Sequence, residues 1–379
     1  MSARFYRLHS NPYQRADKFG EEIKMRIAQL TLDGYENYGQ VLQRYALQRV
    51  LKNFADFVEV LWHQKGKNFL PYNLEWSRSS VGNLKNEVFK GVRQNKIKEF
   101  NDAYIRTRFD VPYLDDIADE YDFFVVGSDQ VWNPEKYFPE RFLEFAPREK
   151  RIAYAASFGV SELPENVKGT YSKKISEIPH VSLRELEGCD LVEKLTGKRP
   201  LHVLDPVFLL TANEWREIAK RPNWLNQKKY ERGYLLTYFF KGKPTEESKT
   251  LANKLGLPMV NLYDLNNFDH YTAGIEEFLY LFSHATCIFT QSFHGTAFAV
   301  IFKRPFVVRE MLESTNSRIK SLLKFFGLED RTNLPEEPLM IDFSRRDEVL
   351  AHERVKALKF LSEALTVESR EKILGGDAK

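Results

Sequence analysis

Cysteine is nearly absent from this chain of 379 residues: only Cys189 and Cys287 occur. Cys287 falls in an apolar run that reads as a buried strand and Cys189 in a charged segment, so a disulfide is not expected, which fits a reducing compartment. No run of ~20 apolar residues is present, which excludes a helical membrane span. The first twenty residues are polar and lack the apolar stretch of a signal peptide, so a cytoplasmic location is expected. Net charge is only +3, which gives no global signature for binding nucleic acid. There is no P-loop, no convincing GxGxxG fingerprint, no zinc spacing, no internal repeat and no low-complexity tract. What remains is ordinary globular composition, 43% hydrophobic and 29% charged, long enough for two domains with sizeable cores. Aromatic residues are plentiful at 14%, which suits a carbohydrate-handling or membrane-surface protein.

The most informative stretch is Thr286–Phe302. Thr286–Thr290 reads as a buried strand, Gln291 to Gly295 as a tight turn, and Thr296–Phe302 as a helix. Such a turn lies at the carboxyl end of a parallel strand, where open α/β sheets bind ligands, and it aims free helix amides at an anion. His294 stands in that turn, followed by Gly295, which permits close backbone approach. A histidine beside a strand also serves as a hydrogen-bonded structural residue, so position alone does not assign catalysis.

Read in order, the chain alternates strands and helices twice. Lys24–Leu32, a glycine-bearing loop with Asn37 and Gly39, and the amphipathic helix Gln40–Phe54 form a first βα unit. Asn37 and Gly39 are also ordinary turn residues. Phe57–Trp62 is a second strand, followed by a loop over 64–82. The lysine-rich helix Asn83–Tyr104 could rest on an anionic membrane surface or present a plain solvated face. Tyr121–Val126 is a buried strand running into Gly127-Ser128-Asp129-Gln130-Val131-Trp132-Asn133, a ligand-facing loop by its composition. Strands Arg151–Ala156, His180–Leu183 and His202–Leu204 follow, with a helix over Tyr171–Ile178. Arg184 closes the second of these strands, where it faces the same crevice or pairs with Glu185 or Glu187. Asp205-Pro206 closes the last.

Thr211–Asn226, with Trp215 and Trp224, reads as an interdomain connection. A second series comprises strands Gly233–Phe240, Met259–Leu262, Thr286–Thr290 and Pro305–Val308. Its helices are Glu246–Leu255, Gly274–Ser283, Arg318–Phe326 and a terminal Val355–Leu365. The pattern predicts an α/β fold of two Rossmann-like domains facing across a cleft. An N-terminal extension over 1–24 precedes a first domain over 25–210 and a second over 211–379.

Several pieces, in order, resemble the polysaccharide pyruvyltransferase family. They are Asn37-Tyr38-Gly39 with Leu42-Gln43 and Tyr45-Ala46-Leu47, then Gly127 to Asn133, Ser182-Leu183-Arg184-Glu185, Asp205-Pro206, Ser292-Phe293-His294-Gly295 and Asn316-Ser317-Arg318. The resemblance implies a fold similar to the GT-B glycosyltransferases. It also implies transfer of pyruvate from phosphoenolpyruvate to a hexose of a cell-surface glycan, as a ketal, with phosphate released. It implies no metal and no cofactor beyond phosphoenolpyruvate as co-substrate. The glycan acceptor would be polymeric or carried on a polyprenyl diphosphate, with peripheral contact at the inner membrane face.

Carried over by residue, the family's essential histidine falls on His294 and its donor-binding basic residues on Arg184 and Arg318. Ser292, Gly295 and Thr296 join the donor side. Asn37, Gly39, Ser128, Gln130, Trp132 and Asn133 stand on the acceptor side, and Asp129 is a candidate to orient or deprotonate an acceptor hydroxyl. Ser292 stands where several members carry arginine, which removes one expected cation. Some members carry lysine at the place of Arg318, and Gly274-Ile275 replaces a usual Gly-Pro. Two other functions fit the same scaffold: a glycosyltransferase using a nucleotide sugar, and a non-catalytic glycan-binding protein.

Overall fold

The computed structural model describes residues 25–62, 81–109, 111, 113–136, 138–239, 244–309, 316–332, 334 and 336–366. The extension expected over 1–24 and most of the loop expected over 64–82 lie outside the described residues.

The first half runs β1 (Arg26–Leu30), α1 (Tyr38–Leu51), β2 (Phe57–Leu61), α2 (Val81–Tyr104), β3 (Thr107–Arg108), β4 (Phe123–Val126), β5 (Arg151–Ala156), α3 (Glu165–Ser176), β6 (His180–Leu183), α4 (Leu186–Thr196) and β7 (Leu201–His202). Its seven strands are parallel, in the order β3-β2-β1-β4-β5-β6-β7. The short α5 (Ala212–Glu217) leads to the second half: β8 (Leu235–Tyr238), α6 (Glu246–Leu255), β9 (Met259–Asn261), α7 (Phe268–Tyr271), α8 (Ile275–His284), β10 (Cys287–Thr290), α9 (Phe293–Ile301), β11 (Phe306–Val308), α10 (Asn316–Phe326) and α11 (Ser344–Ala364). Its four strands are also parallel, ordered β11-β10-β8-β9. The α/β fold is therefore two doubly wound parallel sheets, as expected.

Each order reverses at one point, between β1 and β4 in the first sheet and between β8 and β10 in the second. A crevice opens at such a point, outside the carboxyl ends of the strands. The chain places Thr31, Ser128 and Asp129 at the first and Tyr238 and Ser292 at the second.

The strands are apolar on both faces because helices cover both, so they read as continuous rather than alternating runs. Phe123–Val126 is fully buried, for example. One apolar cluster is not divided between the halves. It joins Ile27, Val41, Val60 and Ile152 of the first to Leu236, Val260, Ile288 and Phe298 of the second. Tyr38 is part of that joint: its ring stacks on Phe278 at 4.7 Å, and its hydroxyl donates to the Ala273 carbonyl at 2.6 Å.

Two helices cross the seam. α2 meets the second half through Lys96, paired with Glu277 at 2.8 Å, and through Arg93, which packs on the rings of Tyr263 and Tyr271. Part of the basic helix read as either membrane-facing or plainly solvated is thus spent on the interior. At the other end, α11 returns to the first half, where Arg354 donates from Nε to the Phe208 carbonyl (2.7 Å) and from Nη2 to that of Leu210 (2.8 Å). Trp215, expected in a connection, is a core residue at 0% exposure, its Nε1 donating to the Val207 carbonyl. Among the described residues no helix is long and apolar enough to cross a membrane.

Candidate active site

The site is built where the two reversal points meet. In the first sheet Gln43 ties the crevice walls together: its Nε2 donates to Thr31 Oγ1 (2.8 Å) and its Oε1 accepts from Ser128 N (3.0 Å). Asp129 follows with φ +68°, the left-handed region that a short acidic side chain tolerates better than most. That backbone turn brings its carboxylate toward Arg184, which closes β6.

Arg184 is the hub of the site. Its Nη1 lies 2.8 Å from Asp205 Oδ2, its Nε 2.9 Å from Glu185 Oε1 and its Nη2 3.4 Å from Asp129 Oδ1. Its guanidinium also stands 4.6 Å from the centre of the Phe293 ring. Burial alone would favour losing the proton, but the carboxylates of Glu185, Asp129 and Asp205 outweigh it and hold the pKa above the ordinary arginine value. Asp205, 1% exposed, shows the converse. Burial would raise its pKa, yet His294, Arg184 and the N–H of Val207 together hold it well below the usual carboxylate range. Ser128 Oγ, which donates to the Ala155 carbonyl at 2.8 Å, also lies 3.4 Å from Asp205 Oδ2.

The second half contributes His294. The helix starts three residues before the expected Thr296, because the Ser292 hydroxyl caps it by accepting from Gly295 N at 3.3 Å. His294 therefore belongs to the first helical turn rather than to a loop, and it is 6% exposed. Its Nε2 is buried without a hydrogen-bond partner and faces Asp205 Oδ2 at 3.7 Å. Its Nδ1 edge packs on the first half: a β-carbon on Gly39 would sit 2.1 Å from that atom. Only glycine leaves room for the ring there.

Arg318, on α10, shares a recess with Arg184, Asp205 and Phe293. Burial and the neighbouring Arg184 guanidinium both push its pKa down. It has no carboxylate partner among the described residues, and its Nε is orphaned. With the Gln130 side-chain oxygen turned toward it, both Nη1 and Nη2 donate there at 2.9 Å.

The expected residues thus sort into distinct places. His294, Arg184, Arg318, Asp129, Ser128, Gln130 and Gly39 converge. Asn37 is the N-cap of α1, accepting from Gly39 N at 2.9 Å. Ser292, Gly295 and Thr296 differ from the donor-contact expectation. The serine hydroxyl caps α9, the Gly295 N–H is spent on that cap, and the Thr296 hydroxyl donates to the Ser292 carbonyl at 3.0 Å. Gly295 is small for another reason: a β-carbon there would meet Thr290 Oγ1 at 2.4 Å, so the helix packs on its own strand. Trp132 is a correction. It is 1% exposed, stacked on Phe142, with Nε1 donating to the Arg141 carbonyl, and so is a core residue rather than an acceptor platform. Asn133 accepts from Glu135 N and shapes its own loop. Asp129, expected to orient or deprotonate an acceptor hydroxyl, has its carboxylate paired with Arg184 at 3.4 Å. Asp205 and Glu185 stand in the pieces that carry the family resemblance but were given no site role from sequence. Asp205 carried the same signal as Arg184, a polar residue directly after a short strand.

The cluster holds two guanidinium groups, three carboxylates and one imidazole. A protonated His294 brings the formal charge of the set to zero, and its buried Nε2 has no hydrogen-bond partner. Such an arrangement can deliver a proton to a bound group and hold an anion on Arg318.

The model of the polysaccharide pyruvyl transferase family matches residues 37–310. Similar solved structures include Arabidopsis thaliana UGT89C1, with 10% identity over 90% of this chain and 100% of that chain at a TM-score of 0.48. Anabaena Alr3699/HepE in complex with UDP has 10% identity over 90% and 99% at 0.46. Acinetobacter baumannii MurG has 13% identity over 88% and 95% at 0.38. These likenesses concern the fold alone. No curated protein sequence matches. The family match begins at the helix cap Asn37 and runs past the strand following His294, taking in every residue of the cluster but Arg318, and on that match the chain belongs to the polysaccharide pyruvyl transferase family.

Proposed function

We propose that the protein transfers pyruvate from phosphoenolpyruvate to two hydroxyls of a hexose in a polysaccharide or its lipid-linked precursor, forming a ketal. The observation that carries this reading is the pairing of an orphaned His294 Nε2, opposite Asp205, with an arginine that no carboxylate among the described residues pairs with. Arg318 is the donor's cation, because its planar fork suits carboxylate and phosphate oxygens. Arg184, already surrounded by acids, positions Asp205 and Asp129 instead.

His294 gives its Nε2 proton to the methylene carbon of the donor, the double-bond electrons forming the new C–H bond and leaving positive charge on C2. The first acceptor hydroxyl adds to C2, and its proton returns to the imidazole. The C2–O bond to phosphorus then breaks, the electron pair leaving with phosphate. The second hydroxyl closes the ketal and its proton joins the phosphate. Asp205 stabilises the charged imidazole throughout. This sequence calls on no metal and no resident cofactor.

The test is donor binding with a chelator present. Phosphoenolpyruvate should raise the melting temperature, since ligand at ~100 times its Kd adds ~2.7 kcal/mol to the binding state. His294→Gln should keep that shift while losing turnover by roughly 10²–10⁴-fold, because glutamine donates a hydrogen bond but transfers no proton at neutral pH. A shift with UDP-glucose or GDP-mannose and none with phosphoenolpyruvate would replace this reading by nucleotide-sugar transfer.

A further inference from the structure

Beside the recess of Arg184, Asp205, Phe293 and Arg318 lies a second cavity, an open bay of about 540 Å³. The two share a wall, because Leu186, Ser321 and Phe325 line both. α4 of the first half forms one side of the bay, and α10 and α11 of the second half form the other. Ser321 Oγ, on α10, lies 2.7 and 2.9 Å from the two carboxylate oxygens of Glu187, on α4, so the halves are tied together at its edge. Phe325 leads inward. Its ring centre stands 5.6 Å from that of His202, whose Nε2 lies 3.1 Å from the Arg184 carbonyl oxygen. None of the residues lining the bay takes part in the pyruvyl-transfer steps.

The lining selects against an anion and for an uncharged polyhydroxyl ring. The carboxylates Glu187, Glu348 and Glu353 outnumber the cations Lys324 and Arg345, and His352 lies 3.1 Å from Glu353. An excess of acid gives an anionic ligand no net attraction. A sugar ring, by contrast, has C–H faces that pack on apolar groups such as Leu186 and Phe325, and a rim of hydroxyls that needs donors and acceptors together. Lys324 and Arg345 supply donors and Glu348 an acceptor. None of these three is in an ion pair among the described residues. The volume falls within the roughly 300–1,000 Å³ of small-molecule sites.

We propose that this bay is the acceptor subsite and takes an uncharged hexose ring of the glycan, with one hydroxyl edge turned across the shared wall toward Asp205 and Arg318. The assignment to the acceptor rests on the pyruvyl-transfer reading; the binding of a sugar in the bay does not. It moves the acceptor away from Asn37, Trp132 and Asn133, whose side chains are spent on a helix cap, on the core and on their own loop.

The experiment blocks the bay. Both native cysteines are buried, so Glu348→Cys, at an exposed position of α11, offers a single accessible thiol to a bulky maleimide. The probes are the methyl glycosides of glucose, galactose and mannose, with glucuronate as the charged control, and binding is read by saturation-transfer NMR. At least one methyl glycoside should bind the wild type more tightly than glucuronate does. Labelling Glu348→Cys should abolish that binding, and Arg345→Ala should weaken it about tenfold, the worth of one hydrogen bond to a charged group. Labelled protein should keep the melting shift given by phosphoenolpyruvate. Circular dichroism checks folding, and Arg345→Ala carries the test if the labelled protein is not folded. No binding of any methyl glycoside, tighter binding of glucuronate, or sugar binding untouched by both changes overturns the site. Loss of the phosphoenolpyruvate shift on labelling would put the donor in the bay and overturn the acceptor assignment. Failure of the pyruvyl-transfer reading looks different: the wild type ignores phosphoenolpyruvate while the sugar still binds in the bay.

Discussion

Arg184 and Arg318 occupy one recess yet stand in opposite electrostatic conditions, and this predicts opposite consequences of removing them. Arg184 compensates Glu185, Asp129 and Asp205. Arg184→Ala leaves buried carboxylates without their counter-ion, so it should cost about 3–5 kcal/mol of stability. Arg318 is a half-buried cation with no acid partner among the described residues, so Arg318→Met, which keeps the apolar stem, should leave stability unchanged or raised while increasing the donor's KM. Urea denaturation and donor kinetics on both variants measure the contrast; equal losses of stability would sink it. Both arginines were legible in the sequence as residues near strand and helix ends. Their division of labour was not, since it depends on which acids fold back across 55 residues from Asp129 and 21 from Asp205. Trp132 misled for the same reason: a polar-looking loop hides whether an indole points out or in.

At the scale of elements, the apolar runs gave the strands directly. Arg151–Ala156 and His180–Leu183 match residue for residue, because a strand covered on both faces announces itself. Helix starts were less legible. α3 begins at Glu165 behind Pro164, well ahead of the expected Tyr171, and α11 begins at Ser344 rather than Val355 because its early buried positions include Arg346, bonded to the Val300 carbonyl. α4 went unread, its buried Cys189, Leu191 and Val192 masked by flanking acids. The four-residue α7 carries a pH dependence. His270 Nδ1 lies 3.4 Å from Asn261 N at the end of β9, which leaves Nε2 to donate to the Tyr230 hydroxyl at 3.0 Å. Burial pushes its pKa down to about 4, with Lys229 adding to the effect against Asp264. Above pH ~6.5 the ring is neutral folded and unfolded, and it contributes no slope. Between there and about 4 only the unfolded chain takes the proton, so stability falls with pH, by on the order of 3 kcal/mol in all. His270→Gln should flatten that limb of a stability-versus-pH curve. An unchanged slope would mean that the folded ring titrates normally.

For the whole molecule, the expectation of two units was readable from the double alternation of strands and helices, but their fusion was not. The shared apolar cluster, the Tyr38 anchor on Ala273 and the crossings of α2 and α11 join both sheets. Unfolding should therefore be one cooperative event, with tryptophan fluorescence and far-ultraviolet circular dichroism tracing the same denaturant midpoint. Two separated transitions would show that the halves are independent after all.

The bare backbone at Gly39 carries that union down to a single atom. The imidazole of one half rests where the other half has only hydrogen, so the seating of His294 is decided by a residue that takes no part in the chemistry and lies 255 positions earlier in the chain. A chimera that joins this second half to a first half bearing alanine at that position would inherit every charged group of the cluster and still lack a usable histidine. Compatibility between halves is thus a matter of vacant space as much as of matching side chains.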